Sequence, residues 1–328
     1  MILKLFKQSY FIQISSIFVF AVLLLAPGFL QDGSTLLPNN TLFLQYTNLL
    51  PLIQTNWIYQ IINSILLISL SFYVRSILKD HQLIHSQDLL PVFIFISFFN
   101  FQNPYEYQLI SIINLFLIAL SYKFILQSFE DEKPDNSIFS ASFFISLASF
   151  FSYANLSLFP LIWISFFVFQ NYNWRYLPIS LIGLITPYLF LFTWIYWIDK
   201  TDVIIHEWNS VYLHFFRWPQ IHGLTNIIIN SLIGFFVLSS LAKIIPEIPG
   251  KIIAIRKKTS LSLWFLLISL YPFLFIPDSL TKNLILIPLS GLLGYYLNRI
   301  KTRRIWIDLL FSLFIVFIIF SKYFLLYA

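Results

Sequence analysis

The sequence contains no cysteine. Disulfides, thiolate metal sites, cysteine nucleophiles and iron–sulfur clusters are thereby excluded for the chain on its own, and no redox compartment can be read from it. Charge is scarce as well: only 10% of the 328 residues are Asp, Glu, Lys or Arg, against about 25% in soluble domains. With 59% hydrophobic residues and a mean hydropathy of +0.80, there is too little polar surface to face water, so lipid is the expected solvent. Missing too are a phosphate-cradling glycine loop, a Gly-x-Ser-x-Gly elbow, a His-Glu-x-x-His helix and any nucleic-acid module, so nucleic acid is not an expected partner. No internal repeat and no Gly/Ser linker divides the chain, and residues 1–328 read as one membrane domain.

What the chain does have is apolar runs and aromatics. Nine Trp, 18 Tyr and 38 Phe suit a bilayer, where Trp and Tyr sit at headgroup level and Phe packs on acyl chains. Phe11 to Leu30 is long for the apolar core of a cleaved signal peptide, about 7–15 residues, and reads as an uncleaved first helix. The polar stretch Gln31 to Leu50 ends at Pro51 before a second span, Trp57 to Tyr73. Leu89 to Phe101 and Tyr107 to Tyr122 follow, the first short for a full crossing. Ser137 to Tyr153 and Leu156 to Gln170 form a tight pair. Leu177 to Ile198, with Gly183 and Pro187 as an expected kink, Leu224 to Ala242, Ser260 to Ile276, Leu284 to Tyr296 and Ile305 to Phe320 complete about eleven spans. The expected fold class is all-α, a polytopic transmembrane bundle.

Orientation follows from the cations. Sixteen Lys and Arg fall in the connections on the side of the N-terminus, while four, Lys200, Arg217, Lys282 and Lys322, fall on the other. By the positive-inside rule the N-terminus is cytoplasmic and the C-terminus outside. The charge run Glu130 to Asp135 and the turn holding His81 and His85 read as solvated cytoplasmic connections. Arg256-Lys257-Lys258 and Arg299 to Arg304 have the chemistry to attract anionic headgroups, although setting topology accounts for them. Ser140, Ser142, Ser146, Ser149 and Ser152 recur at three- to four-residue spacing, which gives one helix a small face for close packing.

Candidate chemistry lies mainly outside. Thr201 to Gly223 is the longest run that mixes acids, bases and aromatics, and it holds three of the five histidines. His206 and Glu207 are adjacent and diverge by about 100° on a helix, so no metal site is expected and no cofactor is implied. With Trp208, Tyr212, Phe215, Phe216 and Trp218, the loop reads as an interfacial helix able to receive a lipid-linked substrate. His206, Glu207, His214 and Arg217 are its candidate binding residues. Asp32, beside Gly33 at the outer surface, is placed to act as a general base. Asp308 lies inside the last span with Arg304 four residues earlier, at pairing distance on a helix.

Stretches such as Leu89-Leu90-Pro91-Val92-Phe93, Ile182-Gly183-Leu184-Ile185-Thr186-Pro187-Tyr188 and Ile287-Pro288-Leu289-Ser290 resemble an uncharacterised Bacteroidota membrane family, some of whose members are labelled β-carotene monooxygenases. Such iron enzymes need several converging histidines, whereas the topology puts two on one side and three on the other. Leu280-Thr281-Lys282-Asn283-Leu284 and the acid in the first outer loop are similar to GT-C-type glycosyltransferases. That resemblance implies Asp32 as base and Lys282 as a contact for a lipid phosphate; the chain departs from the pattern in having no second acid near Asp32 and no outer soluble domain. The leading expectation is an accessory or structural subunit of an envelope assembly or export complex, with membrane lipids and other envelope proteins as partners. The alternative is a glycosyltransferase using a polyprenyl-phosphate-linked sugar at the outer face. A transporter is disfavoured because no span carries an ionisable residue at mid-depth.

Overall fold

The structure is a computed structural model that describes residues 6, 10–26, 56–85, 87–102, 108–171, 173–197, 224–275, 279–299, 308–309 and 311–319. Every regular element among them is helical: α1 (Tyr10–Leu25), α2 (Asn56–Asp80), α3 (Leu90–Gln102), α4 (Gln108–Gln127), α5 (Asp135–Ser149), α6 (Pro160–Phe169), α7 (Tyr176–Trp197), α8 (Leu224–Glu247), α9 (Ile253–Phe275), the single turn α10 (Ser279–Lys282) and α11 (Leu286–Arg299). Residues 311–319 are also helical. Four stretches, Gln60–Asp80, Leu109–Gln127, Tyr176–Trp197 and Ile253–Phe275, are long and apolar enough to cross a membrane. Without strands, each helix satisfies its own backbone, which is what a hydrocarbon solvent demands.

The short helix α3 lies at the centre. Every residue from Leu89 to Asn100 is buried, and the 13 residues of α3 extend about 20 Å at 1.5 Å per residue. A helix that is apolar on all sides belongs inside a bundle. Phe93 meets the rings of Phe6, Phe20 and Phe311, while Phe98 meets Phe314. On a further side Gly294 of α11 lets the backbones approach, since a methyl group there would lie 2.6 Å from Pro91 Cγ.

The serine stripe is an interface, as its spacing suggests. Ser146 Oγ donates to Leu184 O at 2.7 Å and Ser149 Oγ lies 2.5 Å from Tyr188 Oη, so α5 and α7 run parallel side by side. A Cβ at Gly183 would overlap Ser142 Oγ and lie 2.7 Å from Phe139 O. Gly183 therefore serves close approach, and α7 continues through Pro187 as one helix. Against α4 the packing is antiparallel: Ser121 Oγ donates to Ala141 O at 2.9 Å, and Asn155 Nδ2 donates to Asn114 Oδ1 at 2.7 Å. Interhelical hydrogen bonds of this kind are how helices cohere in lipid, where burial against a neighbour gains little over burial in acyl chains.

Several expected boundaries are corrected. The second span runs on through Arg75 and Lys79 to Asp80, so these cations lie in the last turns of α2, where they offset the helix dipole. The span expected over Leu156 to Gln170 is a 3-10 turn (Tyr153–Leu158) followed by α6, which Pro160 begins; proline suits a first turn, where its missing N–H has no intrahelical partner. The basic segment Lys243 to Lys258, which follows the span expected to end at Ala242, is mostly helical. Its first residues complete α8 and its last open α9.

Candidate functional site

Alternating helices gather their connections at one end. His81 follows α2, Glu130 follows α4, Gln170 follows α6, Glu247 ends α8, and Asn298 lies near the end of α11. Among the described residues all the Lys and Arg but Lys282 lie at or near this end. Lys282, half-buried, closes α10 at the opposite end.

Two glutamines shape the turns. Gln82 and Gln170 both have φ of 60°, the left-handed conformation that usually falls to glycine. At each the chain closes with two bonds: Gln82 N–H to Lys79 O at 2.9 Å with Leu83 N–H to Leu78 O at 2.8 Å, and Gln170 N–H to Phe167 O at 3.3 Å with Asn171 N–H to Phe166 O at 3.1 Å. This is the Schellman pattern, which satisfies the last helical carbonyls. After α2 it turns Leu83 inward and buries His81, which is 4% exposed.

Three charged connections then meet. Lys258, in the second turn of α9 and 6% exposed, bonds Glu130 Oε1 through Nζ. The same oxygen lies 3.1 Å from His81 Nδ1, and Lys258 Nζ lies 3.5 Å from that nitrogen. The Phe129 ring is 5.8 Å from Lys258 Nζ, and an aromatic face there helps to replace lost water. Burial pushes the His81 imidazole below its ordinary range, against the pull of Glu130. Partial burial pushes the Glu130 carboxyl up, but hydrogen bonds from Lys258 and His81 outweigh it and hold the group below the usual carboxylate range.

Neighbouring ties complete the end. Lys257 Nζ donates to Phe169 O and Gln170 Oε1, both at 3.0 Å. Arg75 Nε donates to Asp88 O at 2.8 Å, and Asn298 Nδ2 to Asp88 Oδ1 at 2.6 Å. Ser137 Oγ donates to Asp131 Oδ2 at the start of α5. Beside the cluster opens a cleft of about 780 Å³ between the end of α2 and the α8–α9 connection, with Lys79, His85, Glu247, Lys251 and Tyr295 on its wall. Under it is a void of about 10 Å³ bordered by Thr259 and Ser262, roughly the room one water needs.

Most residues expected to carry chemistry lie elsewhere. Asp32, His206, Glu207, His214 and Arg217, like the Arg304 partner expected for Asp308, fall outside the described residues. Lys282 is at the end away from the cleft. One reading of the other end is corrected, since His81 is buried and not part of a solvated turn. The charge run Glu130 to Asp135 is largely exposed, as expected of a solvated connection, although Glu130 also ties helices together, and within Arg256-Lys257-Lys258 it is Lys258 that is buried. Their sequence signal was only that all three fall in connections of the same parity. His81 and His85 do not share a helix, since α2 ends at Asp80, and among the described residues no three of His, Asp and Glu come together as a metal site would need. No family model, curated protein or solved structure matches the chain.

Proposed function

We propose that the chain is a multi-pass protein of the bacterial inner membrane, of about eleven spans with its N-terminus cytoplasmic and C-terminus outside, that serves as an accessory or structural subunit in envelope assembly or export. One observation supports this reading above the others: at the basic end the charged side chains join one helix connection to another. Glu130 unites α2, α4 and α9, and Lys257 joins α9 to α6. A group that is fully engaged in such a tie fixes geometry and is poorly placed to exchange protons with a substrate. The proposed partners are membrane lipids and other envelope proteins, in keeping with the resemblance to the Bacteroidota membrane family.

The test is complementation of a deletion strain that shows an envelope phenotype. Asp32→Asn, His206→Ala, Glu207→Gln and Lys282→Gln are each expressed at normal abundance. All four are expected to restore growth, after which affinity capture from crosslinked membranes identifies the partner complex. Loss of function by Asp32→Asn at unchanged abundance would instead favour the polyprenyl-phosphate-sugar transferase, and glycolipid analysis would follow.

A further inference from the structure

The cleft at the basic end has a use that the ties around it do not. We infer that it binds a phosphate group, carried either by the headgroup of an anionic membrane lipid or by a small soluble phosphate compound. Its volume of about 780 Å³ lies within the range of small-molecule pockets, about 300–1,000 Å³. Lys79 and Lys251 bring two positive charges to it against the single carboxylate of Glu247. The C-terminal ends of α2 and α8 add partial negative charge, which Lys79, in the last turn of α2, counters directly.

The donors are arranged for an ion with several oxygens. Lys251 Nζ stands over the Tyr295 ring at 4.1 Å and lies 3.4 Å from Thr259 Oγ1, so its long side chain is already ordered before a ligand arrives. Glu247 accepts the Tyr295 hydroxyl at 3.0 Å, which turns part of its charge away from the opening. Lys79, Gln82 and His85 are exposed on the opposite wall and can close on the ion from that side. Leu83, Ile84, Pro246, Ile252 and Ile255 supply apolar surface, which lowers the local dielectric and strengthens each charged contact. A phosphate dianion uses such separated donors better than a carboxylate, whose two oxygens diverge less.

The experiment uses the full-length protein. Inorganic phosphate is titrated calorimetrically into the detergent-solubilised protein, and retention of phosphatidic acid against phosphatidylcholine is measured by native mass spectrometry after release from nanodiscs. At least one probe is expected to bind, and Lys79→Gln with Lys251→Gln is expected to weaken it by about tenfold or more. Lys133→Gln with Arg175→Gln removes equal charge from the same end and is expected to change binding less than about twofold. Binding of phosphate alone identifies a soluble ligand; selective retention of phosphatidic acid identifies a lipid. Absence of binding by either probe, an unchanged affinity in the cleft variant, or equal losses in both double variants overturns the proposal. If the double variant fails to fold, Lys79→Gln, which alters only an exposed side chain, decides the matter by a loss of about threefold or more.

Discussion

The weight of the basic end rests on Glu130, one carboxylate serving two buried partners. Removing one member of a buried pair costs about 3–5 kcal/mol. Glu130 is itself about half exposed, so screening reduces the expected cost of Glu130→Gln to about 1–3 kcal/mol, to be read from the denaturation midpoint in detergent. The pH dependence has a definite sign. Unfolded, His81 takes a proton near about 6.5; folded, burial delays this to lower pH. Between those values the unfolded chain binds more protons, so stability falls as pH drops below about 6.5. Glu130, depressed in the folded state, adds a second loss as pH falls below the ordinary carboxylate value of about 4.3. The melting temperature is expected to fall between pH 7.5 and 5.5, and His81→Gln to flatten that fall; an identical slope in the variant would show that other groups carry it. At the turn itself, Gln82→Gly is expected to stabilise by about 0.5–1 kcal/mol, because glycine adopts φ of 60° without strain. Gln170→Gly is expected to gain less, since it forfeits the bond from Lys257.

Among the elements, α5 and α7 make the most demanding contact. Gly183→Leu must push the helices apart against Ser142 and Phe139, and overpacking of this kind costs about 1–3 kcal/mol. A lowered melting temperature and loss of a crosslink engineered between Ser146 and Leu184 are the expected outcomes. Adding Ser142→Ala is expected to recover part of the loss, because Phe139 O remains 2.7 Å from the new Cβ. The outer face of α7 is different: Phe190, Trp194 and Trp197 are 70%, 64% and 86% exposed, and polar substitution there is expected to reduce membrane insertion without altering the α5 contact. Helix α3 is the converse case, sheltered on every side, where Phe93→Ala is expected to cost about 3–5 kcal/mol.

Over the whole molecule, the collected connections make sidedness testable, and the absence of cysteine makes the test clean. Single cysteines at Lys133 and Arg175, both exposed at the basic end, are expected to resist an impermeant maleimide in spheroplasts and to react in inverted vesicles. A cysteine at Ser210 is expected to react from the other side. Reaction of all three from the same side would sink the proposed alternation of spans.

Composition and cation placement alone determined the all-helical class, with apolar helices long enough to cross a membrane, and the grouping of charge at one end, because hydrocarbon admits few backbone solutions and charge is costly to carry across it. The serine stripe was also legible, since its period is that of a helix face. That α3 is buried on every side, and that the 3-10 turn and Pro160 divide one apolar run, depends on which helices surround them. The meeting of His81, Glu130 and Lys258 was decided only in three dimensions. His81 and Glu130 are ordinary polar residues of their own connections and Lys258 of the first turns of α9, with 49 and 128 positions between successive partners, and no local period records that these three segments close on one another.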